Sequence, residues 1–113
     1  MAKIRIVDVT NRDGEQTARI VLSKLQKTII NMMLDDMGIY GSELGFPLSP
    51  HEWNYINANV ELTRTENNDG EPVIKNLRLE GWSRAVAADV EQALANTELT
   101  HLNLSISTSQ QML

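Results

Sequence analysis

The chain has 113 residues, a formal net charge of −5 at pH 7 and no cysteine. Disulfide bonds are therefore excluded, and the composition fits a reducing cytoplasm. The acidic balance and the lack of a basic cluster argue against a nucleic-acid partner. No apolar run approaches the roughly 20 residues of a membrane span, and the N-terminus lacks the pattern of a signal peptide. We expect one compact, cytoplasmic unit without a membrane or nucleic-acid partner.

The first strand is predicted over residues 3–8, and a long loop follows it. Ser23 and Gln26 have the spacing of a capping box, so a helix should begin there. Gly38 is expected to end this helix in the left-handed conformation. The apolar positions of the helix recur at helical spacing and predict a buried stripe of Leu25, Ile29, Met33 and Met37, with Ile30 and Leu34 beside them.

The remaining elements continue the alternation of strands and helices. They are a strand over residues 39–46, a helix from Ser49 with the stripe Trp53, Ile56 and Val60, a strand over 74–81, a helix over 85–96 with the stripe Val86, Val90 and Leu94, and a strand over 100–107. This order predicts an α/β fold of parallel strand-helix repeats. Four strands are half of an eight-stranded TIM barrel, which needs roughly 250 residues when complete.

Polar side chains share one face of the later strands. If helices cover the apolar face, the polar set points into the barrel: Glu43, Arg78, Glu80, Asn103 and Ser105. Buried charges must be paired or bind a ligand. For Arg78 and Glu80, the sequence does not decide between a structural charge network and a ligand site.

The loop after the first strand concentrates groups that carry chemistry. Arg12 and Asp13 are adjacent there, and Gln16 follows. In strand-helix folds, catalytic residues commonly lie where a strand ends. A carboxylate suits a hard divalent cation, whereas a guanidinium forks onto carboxylate oxygens. This loop is therefore the first candidate for an active site.

Four motifs in order resemble the DRE-TIM metallolyases, which include isopropylmalate, homocitrate, citramalate and Re-type citrate synthases and hydroxymethylglutaryl-CoA lyases. The motifs are Arg12-Asp13-Gly14-x-Gln16, Ser23 with Lys27, Glu43-Leu44-Gly45-Phe46-Pro47, and Leu104-Ser105-Ile106-Ser107-Thr108-Ser109. The resemblance covers the whole chain. Asn11 stands where leucine is usual, and Ala18-Arg19 replace a frequent Pro-Gly. The amino-acid sequence around the first motif is most similar to that of the Re-citrate synthase branch.

The resemblance implies a role for each residue of the first motif. Asp13 would bind a divalent metal (Mg, Mn or Zn), whose partners in the family are two histidines of a His-x-His pair. His51 and His101 lie in different elements and cannot form that pair. Arg12 would act as a catalytic and substrate-binding residue, and Gln16 would orient the acceptor. The alternative roles are a carboxylate that caps local amides for Asp13, a solvated side chain for Arg12 and a structural loop residue for Gln16.

Further site candidates lie at or near the other strand ends. Glu43 is expected to be a catalytic residue that holds Arg12 or a metal-bound water, and a buried pair with Arg78 is the favoured alternative. Arg78, Ser105 and Ser107 are candidate substrate-binding residues, although hydroxyls are common at strand ends. His51 is expected to be a surface residue in the first turn of a helix, and His101 is expected to be structural.

The activity implied by the resemblance is a metal-dependent Claisen condensation of acetyl-CoA with a 2-oxo acid. The acceptor would be oxaloacetate, 2-oxoglutarate or 2-oxoisovalerate, and the sequence does not choose among them. Residues 1–113 would form the N-terminal half of that acyltransferase domain. The alternative is an inactive half-barrel that acts through self-association or complementation with a C-terminal half. Since its strand edges are unpaired, we expect a homo-oligomer.

Overall fold

The computed structural model of the chain describes residues 2–109. Within them lie the strands β1 (Val7–Asp8), β2 (Gly41–Glu43), β3 (Arg78–Arg84) and β4 (Leu102–Ser105), and the helices α1 (Lys24–Asp36), α2 (Pro50–Leu62) and α3 (Ala87–Asn96). A short 3-10 turn, Gly14–Gln16, interrupts the first loop. The strands pair in parallel in the order β1-β2-β3-β4. The predicted α/β class is confirmed, and the arrangement is that of a partial TIM barrel.

The predicted helix boundaries at Ser23, Gly38 and Ser49 are confirmed. The amide of Gln26 donates to Ser23 Oγ at 3.1 Å, and the amide of Ser23 donates to Gln26 Oε1 at 2.8 Å. Gly38 has φ +75°, which a glycine adopts without strain. At the start of α2, the amide of Glu52 donates to Ser49 Oγ. Among residues 2–109, no helix is long and apolar enough to cross a membrane.

The position of β3 differs from the prediction over residues 74–81. The carboxylate of Asp35, buried at the end of α1, accepts the amides of Lys75, Asn76 and Leu77 at 3.1, 2.7 and 2.8 Å. Those amides are therefore used by a side chain rather than by a neighbouring strand. Beyond them, β3 continues to Arg84 because its last four residues pair with β4. The other strands are paired over fewer residues than predicted.

The main core lies between α2 and the sheet. It is formed by Leu34, Leu44, Tyr55, Ile56, Val60, Ile74, Leu77 and Leu79. The predicted burial of Ile56 and Val60 is confirmed, while Trp53 is half-buried. This core covers one face of β2 and β3, and Glu43 and Glu80 lie on the opposite face.

The apolar stripes predicted for α1 and α3 are mostly wrong, although Leu34 on α1 is buried and Ile30 packs against the core. On α1, Leu25 and Met37 are 69% and 70% exposed, and Ile29 and Met33 are exposed as well. The face of α1 that packs inward carries Lys27, Asn31, Leu34 and Asp35. On α3, Val86 and Leu94 are exposed, Val90 is half-buried, and Asp89 and Ala93 are buried. Both helices flank α2, so their outer sides meet no other helix within the described residues.

Candidate active site

A charged network crosses the carboxyl ends of the strands. Arg12 donates from Nε and Nη2 to Glu43 Oε1 at 3.0 and 2.8 Å. Asn103 Nδ2 donates to Glu43 Oε2 at 2.8 Å and to Glu80 Oε1 at 2.7 Å. Four side chains from the first loop, β2, β3 and β4 are thereby joined. The predicted convergence of Glu43, Glu80 and Asn103 on one polar face is confirmed.

The guanidinium of Arg12 is held firmly but not saturated. Its Nε–Nη2 edge is occupied by Glu43, and Nη1 donates to Asp13 Oδ1 at 3.3 Å. The guanidinium carbon lies 4.8 Å from the ring centroid of Trp82, a cation–π distance. Since a guanidinium carries five N–H groups, two remain without an acceptor among the described residues. These groups have the charge to bind a carboxylate or an oxyanion.

Glu43 pairs with Arg12, one of the two arrangements considered, and the alternative pair with Arg78 is wrong. Arg78 begins β3, where it lies opposite Gly41. Its Nη1 donates to the hydroxyl of Tyr40 at 2.8 Å, and its Nε lies 3.3 Å from Glu80 Oε2. Arg78 therefore reaches the network only through Glu80, from the other end of the strands. A substrate-binding role for it remains a prediction.

Asp13 is the exposed member of the site, with 61% of its side chain accessible. Its carboxylate contacts Arg12 and otherwise faces outward, which suits one ligand of a hard cation. Residues 2–109 contain no group of three histidine, cysteine, aspartate or glutamate side chains able to hold a metal. The described residues thus fit one position of a divalent-metal site and do not complete it.

An open cavity of about 300 Å³ lies beside Arg12, between the first loop and the start of α2. It is lined by Asn11, Arg12, Glu15, Gln16, Gly45, Phe46 and Glu52. Gln16 is exposed on the 3-10 turn and lines this cavity. Ser105 is exposed at the end of β4, and Ser107 is half-buried two residues further on. Their predicted roles remain predictions.

Residues 3–113 match the HMGL-like family. The chain belongs to the HMGL-like family. It is 60% identical over 114 residues to a citrate (Re)-synthase of Dehalococcoides mccartyi, covering 100% of this chain and 26% of that protein. It is 34% identical to a 2-isopropylmalate synthase of Bacillus licheniformis, covering 96% and 20%. It is 42% identical over 92 residues to the homocitrate synthase AksA of Methanosarcina mazei, covering 80% and 20%.

The expected family is therefore confirmed, and the chain spans about a quarter or less of the length of these relatives. The position of the chain in the HMGL-like family also fits its strand order. The charged network lies at the carboxyl ends of parallel strands, where enzymes with this type of barrel carry their active sites.

Trp82 is a site residue that the sequence reasoning did not single out. Besides facing Arg12, its ring meets Phe46 edge to face, with centroids 5.1 Å apart and an interplanar angle of 88°. Trp82 lies two residues after Glu80 on β3, so its indole shares the polar face with Arg78 and Glu80. Because Trp82 is aromatic, it was not assigned a contact with a cation from the sequence. In this HMGL-like chain, Trp82 covers one face of the arginine.

Behind the loop, this HMGL-like chain carries a network of neutral amides. Asn11 is fully buried and donates from Nδ2 to Asn31 Oδ1 at 3.0 Å and to the carbonyl of Lys27 at 2.9 Å. Asn31 donates to the hydroxyl of Tyr55 at 3.1 Å and to Asn59 Oδ1 at 3.0 Å. Burial raises the pKa of the Tyr55 phenol far above its ordinary value, so the group stays neutral.

Proposed function

We propose that this chain is the N-terminal part of an acyltransferase that condenses acetyl-CoA with a 2-oxo acid. Three similar proteins are named as synthases of citrate, isopropylmalate and homocitrate. The observation that carries the proposal is Arg12, which Glu43 holds by one edge while two of its N–H groups have no acceptor among residues 2–109.

Arg12 binds the acceptor in this proposal. Its free edge takes a carboxylate or keto oxygen of the 2-oxo acid and stabilises the negative charge that develops on the keto oxygen as the new carbon–carbon bond forms. Glu43 orients the guanidinium through two hydrogen bonds, and Asn103 orients Glu43. Trp82 keeps water from one face of the cation.

Asp13 supplies one ligand for a divalent ion, and the remaining ligands come from parts of the enzyme outside this chain. When bound, such an ion acts as a Lewis acid on the acceptor carbonyl. Gln16, on the wall of the adjoining cavity, hydrogen-bonds the acceptor and fixes its orientation. These assignments agree with the exposure of Asp13 and with its contact to Arg12.

The bond-forming step begins when a general base takes a proton from the methyl group of acetyl-CoA. The resulting enolate attacks the keto carbon, and the keto oxygen receives the electron pair and then a proton. Hydrolysis of the thioester releases CoA and the product. Oxaloacetate is the first acceptor to test because identity is 60% with a citrate (Re)-synthase, against 34% and 42% with the other two synthases.

The test is release of free CoA by the complete enzyme that carries this sequence. Purified enzyme is incubated with acetyl-CoA, magnesium or manganese, and each of the three 2-oxo acids in turn. We expect turnover with one acceptor, and we expect Arg12→Lys to lose most of it because lysine keeps the charge but not the fork. Lys75→Met, at an exposed ion pair with Glu71, is the matched control and should retain turnover. No CoA release with any acceptor would refute the proposal.

A second candidate function concerns the chain on its own. The exposed apolar faces of α1 and α3, together with the free edges of β1 and β4, favour a half-barrel that self-associates or complements a C-terminal half. We expect the isolated chain to release no CoA and to sediment as a dimer or larger species. Met33→Lys on α1 should weaken this association, whereas Glu66→Lys in an exposed loop should not. A compact monomer at high concentration would contradict it.

A further inference from the structure

Lys27 is a buried cation behind the candidate active site. Its side chain is 1% exposed, and its ammonium lies 3.1 Å from Glu15 Oε2, 3.0 Å from Glu52 Oε1 and 4.4 Å from the ring centroid of Tyr55. Removing an ammonium group from water costs several kcal/mol, and apolar replacements of buried ion pairs are often as stable. The cluster is therefore poorly explained by stability alone.

The three charged residues come from three separate elements. Glu15 belongs to the 3-10 turn directly after Arg12 and Asp13, Lys27 belongs to α1, and Glu52 lies in the first turn of α2. The loop is wound tightly, since the amides of Arg12, Asp13 and Gly14 all donate to the carbonyl of Val9. Because the loop is closed by these hydrogen bonds, a displacement of Glu15 also displaces Arg12.

The cluster also reaches the motif that ends β2. Glu52 Oε2 is buried without a hydrogen-bond donor among the described residues, and it lies against Gly45. A Cβ at position 45 would collide with that oxygen. Gly45 thus leaves room for the Glu52 carboxylate, two residues from Glu43. The cluster around Lys27 therefore contacts both the loop that carries Arg12 and the motif that carries Glu43.

We propose that Lys27 is a positioning residue for the condensation: it holds the first loop through Glu15 and so fixes Arg12 and Asp13 relative to Glu43. The inference rests on the proposed function. Arg12 must present its free edge within a narrow range of positions, and a displacement of about 1 Å at a reacting group costs up to about 100-fold in rate. Lys27 supplies the constraint without touching the substrate.

Glu15 and Glu52 separate positioning from mere support of the fold. Glu15→Ala cuts the tie between Lys27 and the loop but leaves Lys27 paired with Glu52. Glu52→Ala cuts the tie to α2 but leaves Lys27 paired with Glu15. If Lys27 only supports the fold, the two variants should lose thermal stability and turnover in parallel. If Lys27 positions the loop, Glu15→Ala should lose turnover far beyond its loss of stability.

The kinetic test measures kcat, the KM for the 2-oxo acid and Tm in the complete enzyme. For Glu15→Ala we expect kcat/KM to fall by about 10- to 100-fold, with much of the activity recovered in Glu15→Gln, which still accepts a hydrogen bond. For Glu52→Ala we expect kcat/KM to fall by less than about 3-fold, because Lys27 stays paired with Glu15 and the loop keeps its position. Glu71→Ala, which breaks an exposed ion pair, is the control and should match the parent.

A double-mutant cycle tests the role of Gly45. Gly45→Ala alone should displace the Glu52 carboxylate and lower Tm, but it should add little to the loss of Tm in a Glu52→Ala background, because the colliding carboxylate is then absent. Additive losses would show that the glycine serves some other purpose. That outcome would remove Gly45 from the proposal.

A readout independent of turnover is the Arg12 Nε–H resonance in the chain itself. It should be displaced by the Glu43 hydrogen bond, return toward the position of a free arginine in Glu15→Ala, and stay in place in Glu52→Ala. An unchanged resonance in Glu15→Ala, or equal kinetic losses for both variants at equal Tm, would overturn the proposal for Lys27. Absence of condensing activity in the unmodified enzyme would instead refute the proposed function, and the resonance would still decide the role of Lys27.

Discussion

Asn11 and Arg12 are neighbours in the sequence, yet they belong to opposite sides of the sheet. Asn11 is fully buried among the amides of α1 and α2, and Arg12 lies over the polar ends of the strands. The network around Asn11 contains neutral groups, while the network around Arg12 contains a guanidinium and two carboxylates. Two adjacent residues therefore belong to two polar networks of different kinds, one neutral and one charged.

The two networks differ in how completely they satisfy themselves. Around Asn31, amide and hydroxyl groups pair with one another, and within this network Asn11 Oδ1 is the one buried oxygen that lacks a donor among the described residues. Buried polar groups that pair in this way stabilise one arrangement of the helices. Arg12, by contrast, retains N–H groups at an accessible edge. Unused hydrogen-bonding capacity at a strand end is what distinguishes a candidate binding group from a structural one.

The largest expected effect lies on the charged side. In the complete enzyme, Asp13→Ala should abolish metal-dependent turnover, since a lost Lewis acid is worth several kcal/mol of transition-state stabilisation. Arg12→Ala should lower turnover and leave metal binding intact. CoA release and calorimetric titration with manganese measure both. Asp36→Ala, at an exposed position of α1, is the control. Parental rates and metal affinity in Asp13→Ala would show that the assigned role is wrong.

In the neutral network, Asn31→Ala should reduce the free energy of unfolding by about 3 kcal/mol, because it leaves several buried polar groups without a hydrogen-bond partner. Without added metal, Asp13→Ala on the charged side should change this free energy by less than about 1 kcal/mol, because the Asp13 side chain is 61% exposed and its ion pair with Arg12 is solvated. Urea denaturation of the complete enzyme measures the difference. Equal losses for the two variants would erase the distinction between a structural and a functional network.

Tyr55 gives the neutral network a signature in pH. Burial raises the pKa of its phenol, so above the ordinary value of about 10 the folded state keeps a proton that the unfolded state has released. The folded state then binds more protons, and stability must fall as pH rises, by up to about 1.4 kcal/mol per pH unit. Tyrosinate absorbance in a Tyr40→Phe variant of the chain follows Tyr55 alone. Ionisation of Tyr55 before unfolding would contradict this account.

The smallest expected effect is that of Asn11→Leu, which introduces the residue usual in the family. The substitution removes one donor from Asn31 and Tyr55, but it also removes the unpaired Asn11 Oδ1. These effects oppose one another, so the free energy of unfolding should change by less than about 1 kcal/mol. A loss as large as that of Asn31→Ala would show that Asn11 is central to the network rather than at its edge.

Sequence alone determined the features that depend on local chemistry. The capping box at Ser23, the left-handed Gly38 and the proline-led start of α2 follow from hydrogen bonds within a few residues. The alternation of strands and helices implied a parallel sheet, and the two-residue period of β3 placed Glu80 and Trp82 on one face. The first motif marked Arg12 and Asp13, since strand ends are where this kind of fold exposes its loops.

Tertiary structure decided which partners those residues meet. Glu43 pairs with Arg12 across 31 positions, and Asp35 captures the amides before β3 across about 40, which moves that strand along the sequence. The inward face of α1 carries Lys27 and Asn31 instead of its apolar stripe. Helical periodicity identifies an apolar face but not its neighbour. Only the packing of α1 against α2 and the first loop, where buried carboxylates and amides satisfy those polar groups, determines which face is turned inward.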